Sequence, residues 1–212
     1  HKEYRRQRQM CIRDSFGTMG KTGAGIGDEQ NCIDDIDVYF STFAKSMASI
    51  GAFIAADKKI LTFLRYNIRS QIYAKSLPMA FVAGNLKRLE LLKNKPELRE
   101  KLWHNVRRLQ QGFRDRGFDI GTTNTPVTPV FMKGGLYDAV QLTYDMRENF
   151  NIFCSVIVYP VIPKGQIELR IIPTAAHTDQ DIDETLAAFD AVREKLEKKL
   201  YPQEMPQVGM PA

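Results

Sequence analysis

Lys45 lies in a stretch of small and hydroxyl-bearing residues, a setting in which a lysine could do covalent chemistry. Apolar runs over residues 36–40 and 50–56 flank the stretch and are typical of buried strands. Four hydroxyl side chains stand close to the lysine in sequence: Ser41, Thr42, Ser46 and Ser49. Because burial favours the neutral form of an amine, whose lone pair can attack a carbonyl, we predict a desolvated Lys45 amine between two buried strands.

The neighbouring hydroxyls extend this chemistry to a phosphorylated aldehyde. A neutral lysine forms a Schiff base with an aldehyde, and hydroxyl groups donate hydrogen bonds to a phosphate. Pyridoxal phosphate carries both groups, so the stretch has the residues that this cofactor requires. The spacing alone leaves a second interpretation open, in which Lys45 ends a strand and extends its amine into water.

Arg170 is a second residue that could bind an anion. It stands within an apolar run over residues 167–172, which predicts a strand. A guanidinium among apolar neighbours requires an anion, and a substrate carboxylate held by two parallel hydrogen bonds would satisfy it. An internal salt bridge would satisfy it equally, and the residues leave both interpretations open.

Four stretches occur in the order and with the residue types of a known enzyme family. They are SFGTMG at 15–20, STFAKSMASIG at 41–51, SLP at 76–78 and LRIIPTAAHT at 169–178. Together they resemble the α-oxoamine synthases, a family of fold-type I pyridoxal phosphate enzymes, over about residues 15–201. The first stretch resembles the glycine-bearing turn before the cofactor lysine. The third resembles a segment that reaches across the dimer, and the fourth resembles the strand of the substrate-carboxylate arginine.

The resemblance implies a role for each matching residue. Lys45 is expected to form the imine with pyridoxal phosphate and then to transfer protons at the substrate α-carbon. Thr42 is expected to donate a hydrogen bond to the phosphate of the cofactor. Ser76 is expected to contact the phosphate of the other subunit's cofactor in a homodimer, and Arg170 to hold the substrate carboxylate.

The resemblance also implies a reaction, in which an amino acid and an acyl-CoA condense to an α-oxoamine with release of coenzyme A. The lysine stretch is nearest to the serine palmitoyltransferases of sphingolipid biosynthesis, so serine with a long acyl-CoA is the first predicted substrate pair. Glycine with acetyl-CoA, the pair used by glycine C-acetyltransferase, is the second. The alternative enzyme is an aminotransferase of the same fold, which needs no acyl-CoA.

The element pattern and the resemblance predict an α/β chain that forms the C-terminal part of a fold-type I pyridoxal phosphate-dependent transferase. The predicted parts are a non-native basic leader over 1–14, a remnant of the cofactor-binding large domain over 15–84, a small α/β domain over 85–201 and a disordered tail over 202–212. The family's motif for the cofactor ring should precede Ser15, where this chain has CIRD. We therefore expect a fragment that is inactive alone. A fragment that only dimerises is the non-enzymatic alternative.

Hydrophobic periodicity predicts where the helices and strands lie. The predicted strands cover 36–40, 50–56, 127–133, 152–159 and 167–172, and the predicted helices cover 57–66, 77–92, 96–116, 136–149 and 179–200. The last helix should bury Ile182, Leu186, Phe189, Leu196 and Leu200. The glycine-rich residues 15–29 lack the spacing of a phosphate-binding or dinucleotide-binding loop, so they predict a flexible loop.

Composition limits the remaining classes of protein. The chain has 212 residues, 43% of them hydrophobic and 26% charged, which is typical of a soluble globular protein. No apolar run approaches the roughly 20 residues of a membrane-spanning helix. The three cysteines form no CxxC pair, so they predict no disulfide framework, no metal site and a reducing, cytoplasmic setting. The basic residues within 1–14 could bind nucleic acid, but no nucleic-acid-binding fold follows them, and we predict no such partner.

Overall fold

The computed structural model describes residues 15–202. The predicted basic leader, together with the nucleic-acid alternative that depends on it, lies outside the described residues. The predicted disordered tail lies outside them from residue 203 onward. The chain divides into two compact units between Arg99 and Glu100. The predicted boundary between residues 84 and 85 stays a prediction for the whole protein.

The first unit contains a β-hairpin that carries the lysine stretch in its loop. Strand β1 (Val38–Thr42) pairs antiparallel with β2 (Ala52–Ala56), so that Thr42 lies opposite Ala52. A short helix and a 3-10 turn precede the hairpin, and three helices follow it. Their bounds are α1 (Ile26–Glu29), Ile33–Asp35, α2 (Lys58–Asn67), α3 (Arg69–Tyr73) and α4 (Met79–Asn94).

The prediction that both hairpin strands are buried is wrong for the described residues. Only Ser41 is buried in β1, and no residue is buried in β2. Tyr39 and Phe53 stack on one face of the hairpin, with their ring centroids 5.8 Å apart. Phe40 and Ile54 lie opposite each other in register and expose 43% and 38% of their surface. Because this sheet has only two strands within the described residues, its second face has no layer to pack against there.

The glycine-rich segment is an ordered loop, which corrects the prediction of a flexible one. The Gly17 amide donates to the Gly23 carbonyl at 2.8 Å, and the Thr22 amide donates to the Asp28 carboxylate at 2.7 Å. Burial raises the pKa of Asp28, but hydrogen bonds from Thr22 and from the backbone of Ala24 outweigh this effect and hold the pKa below its usual value. The loop therefore directs its donors at a carboxylate of its own chain.

The second unit is a small α/β unit in which helices pack on a three-stranded antiparallel sheet. Its strands lie in the order β3, β5, β4, with bounds β3 (Thr128–Lys133), β4 (Ser155–Ile157) and β5 (Gln166–Ile171). The remaining helices are α5 (Pro96–Asp115), α6 (Leu136–Phe150) and α7 (Asp179–Glu197). One face of the sheet packs on the helices, and the fully buried core includes Leu109, Phe113, Val130, Leu142, Met146, Leu169, Phe189 and Val192.

The predicted α/β class is confirmed, and most differences concern the ends of elements. The strand predicted over 152–159 is reduced to β4, because the chain turns after Val158 through two prolines. Helix α7 ends at Glu197, so Leu200 lies beyond the helical repeat and is 63% exposed rather than buried. Helix α3 was not predicted. Within residues 15–202, no helix combines the length and the apolar character needed to cross a bilayer.

A buried carboxylate fastens the end of the described chain to the second unit. The Tyr201 hydroxyl, the Lys195 amine and the Asn149 amide donate to Asp145 at 2.8, 2.7 and 2.6 Å. Burial raises the pKa of Asp145, but the hydrogen bonds from these three partners outweigh it, so the pKa lies below its ordinary value.

Tyr201→Phe should lower the free energy of unfolding at neutral pH by about 1.5 kcal/mol, because a buried carboxylate loses one of its donors. The lowered pKa of Asp145 stabilises the folded state above the ordinary carboxyl pKa of about 4, and this contribution is lost as the pH falls through the lowered value. The difference between the two proteins should therefore shrink in acid. Urea unfolding at neutral and acidic pH, followed by Trp103 fluorescence, measures it.

Tyr144→Phe is the matched control. Tyr144 is 43% exposed, and its hydroxyl makes no hydrogen bond within the described residues. We expect its free energy of unfolding to stay within about 0.5 kcal/mol of the parent protein. Equal losses in the two variants, or a Tyr201→Phe loss that persists in acid, would contradict the role given to Asp145.

Candidate active site

The loop between β1 and β2 holds Lys45 in an internally hydrogen-bonded turn. The Phe43 amide donates to the Gly51 carbonyl at 2.9 Å, and the Ser49 amide donates to the Phe43 carbonyl at 2.8 Å. The Ala48 amide closes the turn on the Lys45 carbonyl at 2.9 Å, with Ala48 itself at a φ of +42°. The backbone on both sides of the lysine is therefore restrained.

The glycine-rich loop restrains the residue that follows the lysine. The Ser46 hydroxyl donates to the Phe16 carbonyl. A Cβ on Gly17, whose φ is +84°, would lie 2.5 Å from the Ser46 hydroxyl oxygen, so this close approach requires glycine. Met47, the next residue, is only 2% exposed. The two residues after Lys45 are thus held against the body of the first unit.

Lys45 itself is exposed, which corrects the prediction of a desolvated amine for the described residues. The hydrogen bond of Ser46 and the burial of Met47 restrain the loop after the lysine. No further strand adds to the hairpin within residues 15–202. The proposed Schiff-base role of Lys45 stays a prediction.

Two buried hydroxyls beside the lysine have no hydrogen-bond partner within the described residues. They are the side chains of Ser41 and Ser49, at the two ends of the lysine stretch. Leaving a buried hydroxyl without a partner costs about 1–3 kcal/mol. An amine with unpartnered hydroxyl donors nearby is the donor set that a phosphorylated aldehyde such as pyridoxal phosphate would engage. Thr42, the predicted phosphate donor, is the half-buried last residue of β1.

Ser76 lies in the segment between α3 and α4 and is exposed. Its neighbour Leu77 packs on the end of the lysine loop, where a Cβ on Gly51 would lie 2.8 Å from the Leu77 Cδ1 atom. The structure thus brings the Ser76 segment beside the lysine loop. Ser76 makes no hydrogen bond within residues 15–202, and its contact with a cofactor phosphate stays a prediction.

Arg170 belongs to the second unit, on the open face of the three-stranded sheet. Ile167, Leu169 and Ile171 are buried, so the alternation of the strand puts Arg170 on the opposite, exposed face. No carboxylate within the described residues forms an ion pair with its guanidinium, so the internal salt bridge considered from the sequence is wrong for this part of the chain. The proposed role of Arg170 in holding a substrate carboxylate stays a prediction.

The comparison with protein families gives one match that covers most of the chain. The family model described as aminotransferase class I and II matches residues 15–189. This range includes the lysine loop, the Ser76 segment and Arg170.

Curated relatives match the same part of the chain. A cysteate-C-fatty acyltransferase of Capnocytophaga ochracea is 60% identical over 186 residues, which is 88% of this chain and 44% of the relative. An 8-amino-7-oxononanoate synthase of Petrotoga mobilis is 32% identical, over 85% of this chain and 45% of the relative. A serine palmitoyltransferase of Sphingobacterium spiritivorum is 33% identical, over 81% of this chain and 43% of the relative. The chain therefore spans less than half the length of these relatives.

Solved structures agree with these relatives. Serine palmitoyltransferase (SPT) of Sphingomonas wittichii matches with a TM-score of 0.80 and 27% identity, over 90% of this chain and 47% of that chain. A structure of SPT with PLP internal aldimine matches with a TM-score of 0.81 and 27% identity, over 87% of this chain and 46% of that chain. The predicted α-oxoamine synthase resemblance and the cofactor expected for that family are confirmed.

Gly17→Ala should loosen the lysine loop. The new methyl group carries a backbone cost of about 1–2 kcal/mol at positive φ and must also displace Ser46, which adds roughly 1–3 kcal/mol. We expect faster amide hydrogen exchange over residues 43–51, measured by mass spectrometry, together with a lower free energy of unfolding.

Gly165→Ala separates the two costs. Gly165 has a φ of +83°, almost that of Gly17, but no heavy atom lies within 4 Å of the position that its Cβ would take. This variant should carry the backbone cost alone and leave exchange over residues 43–51 unchanged. Equal exchange in the two variants would mean that the lysine loop does not depend on the approach of Gly17 to Ser46.

Proposed function

Because the chain belongs to the aminotransferase class I and II family, and within it to the α-oxoamine synthases, we propose that the whole protein is a pyridoxal phosphate-dependent acyltransferase. It would condense an amino acid with an acyl-CoA. The observation that carries this proposal is the lysine loop, which holds Lys45 on a restrained backbone between Ser41 and Ser49, whose hydroxyls have no hydrogen-bond partner within residues 15–202.

Each residue of the loop has a proposed task. Lys45 would hold the aldehyde of the cofactor and, once the amino acid has taken its place, move the proton of the substrate α-carbon. Thr42, with Ser41 and Ser49, would donate hydrogen bonds to the phosphate. The cofactor, when bound, supplies a ring that stabilises the electron pair left on the α-carbon.

The exposure of Lys45 is part of this proposal. Desolvation favours the neutral, nucleophilic form of an amine. The described residues do not bury Lys45, and the chain spans less than half the length of its curated relatives. We therefore propose that other parts of the whole protein cover the amine, and that residues 15–202 are inactive alone.

The proposed substrates are cysteate and a fatty acyl-CoA. The support is the 60% identity to the cysteate-C-fatty acyltransferase, against 33% to a serine palmitoyltransferase. Serine, predicted first from the lysine stretch, and glycine, predicted second, are the competing amino acids. The α-carbon would give its proton to Lys45 and bond to the acyl carbon, while the bond from the acyl carbon to the coenzyme A sulfur breaks and the thiolate leaves and takes up a proton. The bond from the α-carbon to its carboxylate would then break, carbon dioxide would leave, and the α-carbon would take a proton back from Lys45. Arg170 would hold the substrate carboxylate.

We propose a homodimer in which Ser76 serves the site of the other subunit. Ser76 is exposed, and two large side chains in the adjoining helices are also exposed, Tyr73 by 82% and Met79 by 76%. Exposed apolar side chains of this size are typical of interaction surfaces. A cytoplasmic setting is also proposed, and the free thiols of Cys32 and Cys154 support it.

A second candidate function is amino-group transfer on the same fold, which the description of the matching family model favours. It needs no acyl-CoA. Release of coenzyme A in the presence of an amino acid therefore separates the two candidate functions, and amino-group exchange with a keto acid is the complementary assay.

Borohydride reduction should attach the cofactor to Lys45. Residues 15–202 would replace the matching segment of the Capnocytophaga ochracea relative, which gives a chimera of full length. After reduction with pyridoxal phosphate, peptide mass spectrometry should find the label on Lys45. Lys45→Ala should remove the label and lower coenzyme A release about 10³-fold, because a proton-transfer group is lost.

Lys58→Ala, a change at an exposed lysine of α2, is the control and should keep both label and activity. A label on a different lysine would overturn the assignment of Lys45. Amino-group exchange without release of coenzyme A would favour the aminotransferase. Activity with cysteate, serine and glycine compared in parallel tests the proposed amino acid.

Mixed dimers test whether Ser76 acts on the other subunit's site. Ser76→Ala alone should weaken cofactor binding about tenfold, because a charged acceptor loses one donor. In a dimer of one Lys45→Ala subunit and one Ser76→Ala subunit, a Ser76 that acts across the interface leaves one site intact. At low cofactor concentration this dimer should keep half of the parent activity. Activity no higher than that of the Ser76→Ala dimer would mean that Ser76 serves its own subunit.

A further inference from the structure

Ser155 and Arg170 form a side-by-side pair on the open face of the three-stranded sheet. The antiparallel pairing of β4 with β5 sets Ser155 opposite Arg170. Both side chains are exposed. Directly opposed residues in such a pair have Cβ atoms about 4.5–5.5 Å apart, so a hydroxyl and a guanidinium present their donors to the same space.

The donors of this pair are not used within the described residues. Neither side chain makes a hydrogen bond or an ion pair there. The carboxylate nearest in sequence on the same strand face, Glu168, lies opposite Ile157 and forms no ion pair with Arg170. The pair therefore has donors for an oxyanion and no acceptor of its own.

On the side of the pair away from Glu168, several neighbours are apolar. Pro129 lies opposite Arg170 on the other neighbouring strand. Phe153, two residues before Ser155, is 85% exposed, and Ile172, two residues after Arg170, is 50% exposed. A small organic anion that covers these apolar groups would remove water from the guanidinium and strengthen its hydrogen bonds. Such surroundings favour a substrate with a carbon skeleton over a free inorganic ion.

We propose that Ser155 acts with Arg170 to bind an acid group of the amino-acid substrate. This inference rests on the proposed acyltransferase function. A guanidinium can offer two parallel N–H donors and the Ser155 hydroxyl adds one O–H, which gives a donor for each oxygen of a sulfonate or three donors for a carboxylate. Cysteate carries both acid groups, whereas serine and glycine carry only the carboxylate.

Ser155→Ala in the chimera tests the proposal. Loss of one hydrogen bond to a charged group should raise the KM for cysteate about tenfold, with kcat little changed. The dissociation constant of cysteate, measured from the change in cofactor absorbance on binding, should rise by the same factor. Ser155→Thr keeps the hydroxyl and should restore most of the affinity.

Ser70→Ala is the matched control, since Ser70 is an exposed serine of α3 with no proposed role. The amino acids distinguish the acid group. A sulfonate bound by Ser155 predicts that the variant affects only cysteate, and a carboxylate predicts equal effects on cysteate, serine and glycine. Identical constants for Ser155→Ala and Ser70→Ala, in a chimera that releases coenzyme A and is labelled on Lys45, would overturn this inference alone. A chimera with neither property would overturn the proposed function and this inference together.

Discussion

The position of Lys45 depends on a close approach between the backbone of Gly17 and the side chain of Ser46. Because Gly17 has no Cβ, the glycine-rich loop can lie against the Ser46 side chain. In this position the carbonyl of the preceding residue, Phe16, accepts a hydrogen bond from the Ser46 hydroxyl. On its far side the same loop closes around the Asp28 carboxylate, which accepts hydrogen bonds from Thr22. The glycine-rich loop is therefore held in one conformation by its own hydrogen bonds and supports the lysine loop. The backbone of Lys45 is thereby restrained on both sides, while the residue itself is exposed.

This arrangement suits a residue that must exchange partners. A cofactor lysine first holds an aldehyde and later releases it to the substrate, so its amine must move while its Cα does not. The hairpin fixes the Cα by its own hydrogen bonds, since the turn is closed between Phe43 and Gly51. Nothing in residues 15–202 meets the further requirement of a dry amine. The described residues therefore supply the support for the lysine backbone, and the proposed desolvation of the amine would come from other parts of the whole protein.

The sequence predicted those elements whose formation depends on local pattern. Helix α5 was expected within one residue of its bounds, because its apolar stripe repeats with the helical period and Gly117, at a φ of +71°, ends it. The burial of the hairpin was not predictable, because apolar residues such as Phe40 do not tell how many strands the sheet contains. The family motifs identified Lys45 and Arg170, but no motif pointed to Ser155. Its place beside Arg170 follows from the register of β4 with β5, which only the folded chain sets.

Two features of the structure bring no benefit to the fold. Arg170 is exposed and has no ion-pair partner within residues 15–202, and many hydrophilic residues would serve at such a strand position as well as an arginine does. Ser41 is fully buried, and its hydroxyl has no hydrogen-bond partner within the described residues, where alanine would avoid the desolvation cost. Local choices that fail to help folding are concentrated at functional sites, because there the residue is retained for its ligand. Within the part of the chain that the structure describes, one feature supplies a cation and the other a hydroxyl donor, and both suit an anionic cofactor and an acidic substrate.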